Sequence, residues 1–432
     1  MKLAYITSSF PYGPGEGFVI AEIEELRRRG HLVEIVPMWA RDKQIHDAKI
    51  SELRGSGPLC SLRMLKSALF EAICFPLQAL KILRLLLCCK SLASLARTIL
   101  LLPKSLWLAR VCRQHEIEHV HAYWCSAPAT IAVIASSFSR IPWSMSCHRS
   151  DIKRNDLLKE KLQSTAFARF ISERAVTMAP QVSDVLEKKA VVLHVGVRVP
   201  KEVPSASKNV PTFLCPANMV LVKGHKYLLE AALLLKQQEQ PFRLLLAGDG
   251  PLKTQLKAEA SAAGLLNDVH FLGALPHREI VRMYTQNRIF AAVLPSLNLG
   301  RGEHEGIPVA LMEAMSFGIP VISTRTGSIP ELIAPGCGIM VPPGDFRILA
   351  REMQRLIDDP ELCRRLCENG RRRISEHFNV KTISTQLEHL FNGQSPAVMK
   401  SHLQTSDIAS AVGDFAAHEE FRSSIYVHSS SV

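Results

Sequence analysis

Two carboxylates frame a short apolar run in EHEGIPVALMEAM, Glu303 to Met315. Glu305 precedes a glycine and a proline, and Glu313 follows in the apolar run. Pro308 suits the first turn of a helix, where a backbone N–H has no partner to lose. Gly318 suits the end of that helix. The pattern predicts a helix over 309–317, with Glu305 in the loop ahead of it and Glu313 in its second turn. The N–H groups of Gly306, Ile307 and Val309 would then be free to meet an anion, helped by the helix dipole. Glu313 would lie about 7.5 Å farther along the axis, from a rise of ~1.5 Å per residue. One elongated ligand fits that layout: Glu305 near one end, an anion at the helix tip, a diol on Glu313. Taken alone, the pair reads equally as two solvated acids at a helix start.

The elements that must position this pair form a regular rhythm. IFAAVLPS is a strand, and the loop LNLGRGEHEG follows it. In the first half, LAYITSSF, HLVEIVPMW, EHVHAYW, PWSMSCH and ARFISE read as strands, with helical stretches between them. In the second half, TFLCPANM, FRLLLAG, VHFLG, IFAAVLPS, PVISTRT and CGIMVPP alternate with helical stretches. Strand–helix alternation of this kind predicts α/β architecture with parallel sheets covered on both faces. The expected organisation is a first doubly wound domain over 1–197, a polar linker over 198–211, and a second doubly wound domain over 212–375. A C-terminal helix over 376–392 and a disordered tail over 393–432 complete it. Two such domains would face each other across a central cleft at the carboxyl ends of their strands, where ligands bind in these folds.

The whole chain sets outer bounds. Its 432 residues are 47% hydrophobic and 21% charged, which excludes a disordered chain and allows two domains. A net charge of +12 favours anionic partners without choosing among them. No aromatic–basic pattern points to nucleic acid. The eleven cysteines include no CxxC pair, which fits a reducing cytosol. Cys363 and Cys367 sit in a helical stretch and read as packing, and no metal site is expected. MKLAYITSSFP is too short in apolar length for a signal peptide and reads as the first strand.

Residues 60–112 interrupt the rhythm. They are dense in leucine and carry Arg63, Lys66, Lys81, Arg84, Lys90, Arg97, Lys104 and Arg110, with Glu71 as the sole acid. Pro76 and Pro103 should divide the segment into separate helices. The stretch 82–102 holds Arg84, Lys90 and Arg97, each costing about 2.5–3.5 kcal/mol at mid-membrane, so it should not span a bilayer. Lys90, Arg97 and Lys104 recur at heptad spacing and should share a stripe. A basic, apolar, non-spanning segment fits an anionic membrane surface. Domain-packing helices with a solvated cationic edge fit it equally.

Two other constellations need weighing. Gly15-Glu16-Gly17 after the first strand resembles part of a dinucleotide fingerprint. Position 20 is isoleucine, and Glu34 lies inside its strand rather than at its end. His121 reads as a strand-end packing residue. His148 in CHRSD, with Asp151 three residues on, is a candidate for chemistry.

EGIPVALMEAMSFGIPVISTRTGSIPELI closely resembles the acid–seven–acid motif of glycosyltransferase family 4 and the strand and loop that follow it. PWSMSCHRSD and PYGPGEGFVIAEIEEL resemble the family more loosely. The likeness is to enzymes of exopolysaccharide and colanic-acid type. It implies a GT-B fold and a retaining, metal-independent transfer from a nucleotide sugar, whose layout matches the elongated ligand inferred above. The resemblance implies that Glu313 holds the ribose and Glu305 the donor sugar and phosphate. Lys223, before Gly224, would hold the diphosphate. Gly248, Asp249 and Gly250 would lie near the nucleotide, Gly15 and Gly17 near the donor phosphates, and His148 near the reacting carbon. Asn218 stands where relatives usually carry an arginine, so one cation is replaced by a neutral amide. Ser328 stands where glycine is common.

The leading expectation is a retaining glycosyltransferase that uses no cofactor beyond its nucleotide-sugar substrate. Its acceptor would be a saccharide or a lipid-linked saccharide in cell-surface polysaccharide or lipopolysaccharide synthesis. The protein would then be cytoplasmic and peripheral on the inner face of the membrane. Two rivals stand beside it. One is a catalytically weakened nucleotide-sugar-binding partner in a polysaccharide assembly complex, motivated by Asn218. The other is a sugar-nucleotide epimerase of similar architecture.

Overall fold

The computed structural model describes residues 1–39, 58–59, 61–152, 157–179, 188–202, 210–300 and 302–394. Residues 203–209 of the expected linker, and the expected tail from 395 onward, lie outside the described residues.

The first half is a parallel sheet of β1 (Lys2–Thr7), β2 (Leu32–Pro37), β3 (His119–Ala122), β4 (Trp143–Cys147), β5 (Ala168–Phe170) and β6 (Ala190–Val192). The strands stand in the order β2-β1-β3-β4-β5-β6. Its helices are α1 (Val19–Arg28), α2 (Leu62–Cys74), α3 (Pro76–Leu87), α4 (Leu92–Gln114), α5 (Ala127–Ser139), α6 (Arg149–Ile152), α7 (Leu158–Ser164) and α8 (Glu173–Thr177). The second half repeats the plan with β7 (Thr212–Pro216), β8 (Arg243–Ala247), β9 (Val269–Gly273), β10 (Ala291–Leu294), β11 (Val321–Thr324) and β12 (Ile339–Val341). Their order is β12-β11-β10-β7-β8-β9. Helices α9 (His225–Gln237), α10 (Lys253–Ala262), α11 (His277–Thr285), α12 (Val309–Ser316), α13 (Ile329–Leu332), α14 (Phe346–Asp358) and α15 (Pro360–His377) accompany it. α16 (Val380–Phe391) follows. All observed strand pairings within these sheets are parallel.

The central strands are buried, as β10 shows, which is why they read as short continuous apolar runs. β3 and β4 carry an exception. Ser144 Oγ lies 2.7 Å from His119 Nε2 and 2.8 Å from His121 Nδ1, and His121 Nε2 lies 3.0 Å from Ser146 Oγ. These polar side chains hydrogen-bond to one another inside the sheet, while His119 Nδ1 has no partner among the described residues. Burial pushes His119 down to about 3, so it is neutral. His121 is thus a packing residue, as its sequence context suggested.

The halves are joined twice. The chain leaves the first half at Val197 and returns past Asn379. Val197 donates to Phe378 O at 2.8 Å, and Val380 donates to Val197 O at 2.9 Å. A Cβ on Gly196 would lie 2.6 Å from Val380 Cα, so glycine permits this close crossing. α16 then packs on the first half. Ile383, Leu387, Leu390 and Phe391 join Leu3, Tyr5 and Ile23 in one buried cluster.

The 60–112 segment differs from expectation in two respects. Pro76 does open a new helix, at the first position of α3. Pro103 lies inside α4, which runs unbroken through it. The helix tolerates the lost N–H because α4 is held between α2 and α5, while Ile99, whose carbonyl would have been its partner, is half exposed to water. The chain breaks instead at Cys88–Lys90, and Ser91 restarts it by accepting from Ser94 N–H at 3.1 Å. The second difference is the cationic stripe, which does not form. Lys90 sits in the bend, and Lys104 is fully buried, its ammonium donating to the carbonyls of Pro37 and Met38. Arg97 alone of the three is exposed on the helix. By length and composition α4 could cross a membrane, but half of its apolar stretch is buried in the fold.

Candidate active site

Glycines build the second-half site by letting loops touch. A Cβ on Gly248 would lie 2.0 Å from Ala217 O, and one on Gly250 would lie 2.6 Å from Met219 O. Met219 N–H donates to Asp249 O at 2.8 Å. GDG therefore packs the loop after β8 against the loop after β7, leaving Asn218 exposed between them. Gly224 has φ +69°, and a Cβ there would lie 2.0 Å from Pro295 O. This turn presses the residues before α9 against the end of β10, and Leu297 N–H donates to Val222 O at 2.8 Å.

That contact brings Lys223 to Glu305. Lys223 Nζ donates to Glu305 Oε2 at 2.5 Å, and Ser296 Oγ donates to the same oxygen at 3.2 Å. Both charged side chains are largely shielded, 22% and 13% exposed. The backbone of Glu305 is clamped from behind. Its carbonyl accepts from Ser328 N–H at 3.2 Å and from His304 Nδ1 at 2.9 Å. Gly327, at φ +57°, fits only because it has no Cβ: one would lie 1.8 Å from that carbonyl oxygen.

α12 begins where the sequence places it, with Pro308 as the residue just before its first turn. Among the described residues no protein acceptor takes the N–H groups of Gly306, Ile307 and Val309. A Cβ on Gly306 would meet open space. The tip of α12 thus offers free donors beside the Lys223–Glu305 pair. Glu313 lies in the second turn and carries a partner the sequence reading missed: His277, at the start of α11, with Nε2 2.7 Å from Glu313 Oε1. That hydrogen bond raises the His277 pKa above its ordinary 6.5, against a smaller opposing effect of burial.

In the first half, His148 and Arg149 follow β4, and Arg149 feels the charges of Glu305 and Glu303. His148 is buried with an Nε2 that has no partner among the described residues, and its ring lies 4.2 Å from that of Trp124. Burial pushes its pKa down to about 3, with Arg169 adding to the effect, so the imidazole is neutral. Its backbone N–H is held by Asp151 Oδ1 at 2.9 Å. Burial lifts Asp151 to about 6, opposed by hydrogen bonds from Cys125 and His148. A cavity of about 350 Å³ opens beside them, lined by Ser8, Ser9, Gly15, Glu16, Trp124 and Asp151 among others.

In the loop after β1, Gly15 lines the cavity, and Gly17 has an ordinary helical φ of −58°. Glu16, between them, folds back on the residues that follow β1. Its carboxylate accepts from Ser8, Ser9 and Phe10 N–H at 2.9, 2.6 and 2.7 Å, and from Trp124 Nε1 at 2.5 Å.

Contacts between the halves centre on the loop ahead of α12 and on the start of α13. Arg174 Nε donates to His304 Nε2 at 3.3 Å, and Ser328 Oγ lies 3.1 Å from Ser172 Oγ. Glu331 accepts from the N–H groups of Glu173 and Arg174. His304 and Glu331 were visible as neighbours of motif residues, but only folding shows what they touch. His277 carried no sequence signal.

The model of the family "Glycosyl transferases group 1" matches residues 198–373, which contain Lys223, Glu305 and Glu313. That match spans most of the second half. AmsK of Erwinia amylovora, an amylovoran biosynthesis glycosyltransferase, is 36% identical over 178 residues, covering 41% of this chain and 43% of that protein. WcaL of Escherichia coli K12, provisionally named a colanic acid biosynthesis glycosyltransferase, is 34% identical over 209 residues, covering 47% of this chain and 51% of that protein. The chain spans about half the length of the curated relatives it matches. Among solved structures, Anabaena HepE in complex with UDP superposes with a TM-score of 0.64 at 16% identity, covering 91% of this chain and all of that one. Sucrose-phosphate synthase of Thermosynechococcus elongatus superposes with a TM-score of 0.66 at 18% identity, over 91% of this chain and 98% of that one. The architecture is GT-B, two Rossmann-like halves around a cleft.

Proposed function

We propose that the chain is a retaining glycosyltransferase that moves a sugar from a nucleotide-sugar donor to a saccharide or lipid-linked acceptor in cell-surface polysaccharide synthesis. The observation that carries this reading is the Lys223–Glu305 contact beside the free N–H groups at the tip of α12. An ammonium and oriented amides stabilise a departing diphosphate by electrostatics, without a metal. Glu305 orients the donor sugar, Glu313 accepts from the ribose diol, and the neutral His148 offers its free Nε2 to the sugar from the opposite half. The bond from the anomeric carbon to the phosphate oxygen breaks. A bond from the acceptor oxygen forms on the same face, and the acceptor proton passes to the departing phosphate. UDP-glucose, bound in one HepE structure, is the first donor to try, and UDP, bound in another, is the first nucleotide to titrate.

The acceptor side meets an anionic bilayer. α2 and α3 expose Leu62, Leu65, Leu69, Ile73, Leu77, Leu80, Leu83 and Leu87. Arg63, Lys66, Lys81 and Arg84 are exposed on the same two helices, while Glu71 is buried and paired with Arg113. This matches the composition of segments that lie on membranes rather than cross them.

The test is incubation with UDP- and GDP-sugars and with isolated lipid-linked saccharides, following nucleoside diphosphate release and product anomeric configuration. An axial donor should give an axial product. An inverted product would overturn the retaining mechanism. Conversion of donor without acceptor would point to the epimerase, and nucleotide binding without turnover to the weakened partner.

A further inference from the structure

The Lys223–Glu305 contact creates a charge problem at the proposed donor site. One ammonium and one carboxylate cancel, and Asn218 adds no charge. A nucleoside diphosphate leaving group gains negative charge as its bond to the sugar breaks, so the site needs a positive charge that is not already cancelled.

Arg149 meets that need by position. It follows His148 directly, at the start of α6, on the half opposite Lys223. Its guanidinium nitrogen Nη1 is buried and has no hydrogen-bond partner among the described residues. A buried guanidinium nitrogen without an acceptor is costly unless an acceptor arrives. The backbone behind it is fixed, because Asp151 takes the His148 N–H at 2.9 Å and donates its own N–H to His148 O at 3.3 Å.

We propose that Arg149 is the second diphosphate cation of this protein, supplied from the half opposite Lys223 in place of the charge that Asn218 lacks. The assignment rests on the donor-site reading above. One further observation fits it. Burial lowers the Arg149 pKa from its ordinary value, while the charges of Glu305 and Glu303 act to raise it, so the guanidinium lies within electrostatic reach of the loop that carries the donor site. An arginine keeps its charge despite such burial, where a lysine could lose it. A cation delivered from the opposite half also completes the site only when the halves are closed, which would tie leaving-group stabilisation to closure.

The experiment is calorimetric titration of the full chain with UDP and GDP, and with UMP and GMP as controls that lack the outer phosphate. With whichever diphosphate binds wild type, Arg149→Gln should lose roughly 10- to 100-fold in affinity, the range for a hydrogen bond to a charged group. The matching monophosphate should lose less than about threefold by the same scale. Arg149→Lys should fall between, since it keeps the charge but loses the fork. Adding Asn218→Arg to Arg149→Gln should recover most of the lost affinity, which a merely structural arginine would not allow. If Arg149→Gln keeps its fold and its diphosphate affinity, Arg149 is not the cation. If wild type binds neither diphosphate, the donor-site reading fails, and this assignment with it.

Discussion

Glu331 belongs to α13, just after β11, yet its carboxylate receives the backbone N–H groups of Glu173 and Arg174 on the opposite half, at 2.8 and 3.1 Å. Those are orphan donors of the first turn of α8, so one acid from the second half completes a helix of the first. Arg174 also meets His304, in the loop ahead of α12, and His304 holds the Glu305 carbonyl. Closure of the cleft and placement of the candidate catalytic loop therefore share one set of contacts.

Replacing Glu331 with alanine should loosen that closure. The loss should be about 1.5–3 kcal/mol, as for hydrogen bonds to a charged group. Amide exchange at Glu173 and Arg174 should quicken, and kcat and nucleoside diphosphate affinity should both fall, because Arg149 reaches the diphosphate from the first half only when the halves are closed. Unchanged exchange at both amides would show that Glu331 does not hold the halves together.

Gly327→Ala should damage the site while sparing the fold. A methyl group there would lie 1.8 Å from the Glu305 carbonyl, at a φ of +57° that a side chain rarely adopts. The loop must shift, at a cost of about 1–3 kcal/mol for local strain. Nucleotide affinity should drop with a modest fall in Tm. Gly15→Ala is the matched control for the first half, because a Cβ there meets nothing within 4 Å. Equal nucleotide affinity in Gly327→Ala and wild type would separate Gly327 from the site.

Much of the frame was legible because parallel strands buried on both faces are short apolar runs, and the helices between them are amphipathic. The start of α12 was legible from Pro308 and Gly318, since each satisfies a local backbone demand. Lys104 was not. A lysine in a leucine-rich segment looks like a surface charge, and only the fold shows that two carbonyls at the end of β2 receive it. Glu16 was hidden in the same way. Its neighbours Gly15 and Gly17 drew the attention, while only the fold shows that the acid between them accepts from the N–H groups of Ser8, Ser9 and Phe10. Long-range pairs such as His277–Glu313 and Glu331–Arg174 leave no periodicity to read.

The His277–Glu313 contact predicts a pH dependence. The folded pKa of His277 lies above the ordinary 6.5, so its pairing is complete below about 6.5 and is lost as pH rises through the raised value. His277 is 67% exposed, so the effect on overall stability should be small. The effect on binding should be larger, because the ribose diol and the imidazolium compete for one carboxylate. Nucleotide affinity should rise with pH across that window, and His277→Ala should flatten the profile. Glu313→Ala should cost about 1.5–3 kcal/mol in nucleotide binding. Titration of the His277 ring by NMR with and without nucleotide checks the link, since bound nucleotide should lower its pKa. A pKa unmoved by saturating nucleotide would remove Glu313 from the ribose site.

The last prediction concerns the outer face of α2 and α3. Leu69, Ile73, Leu77 and Leu87 are each more than 60% exposed, an unusual density for two adjacent helices. Arg63, Lys66, Lys81 and Arg84 stand among them, and Lys90 and Arg97 extend the charge past the bend. Each cation near an anionic leaflet contributes about 1 kcal/mol, fading over a Debye length of ~8 Å at physiological salt. The leucines add burial in the interfacial layer, which salt does not screen. The protein should therefore sediment with anionic vesicles at low salt, less so at high salt, and weakly with neutral ones. Replacing Lys66, Lys81 and Arg84 by glutamine should remove the anionic preference. Replacing Leu77 and Leu80 by glutamine should weaken binding at every salt concentration. Lys104→Gln should instead lower Tm without changing lipid preference, since that ammonium is buried on backbone carbonyls. If the wild-type protein ignores anionic vesicles at low salt, a soluble saccharide acceptor becomes the better reading.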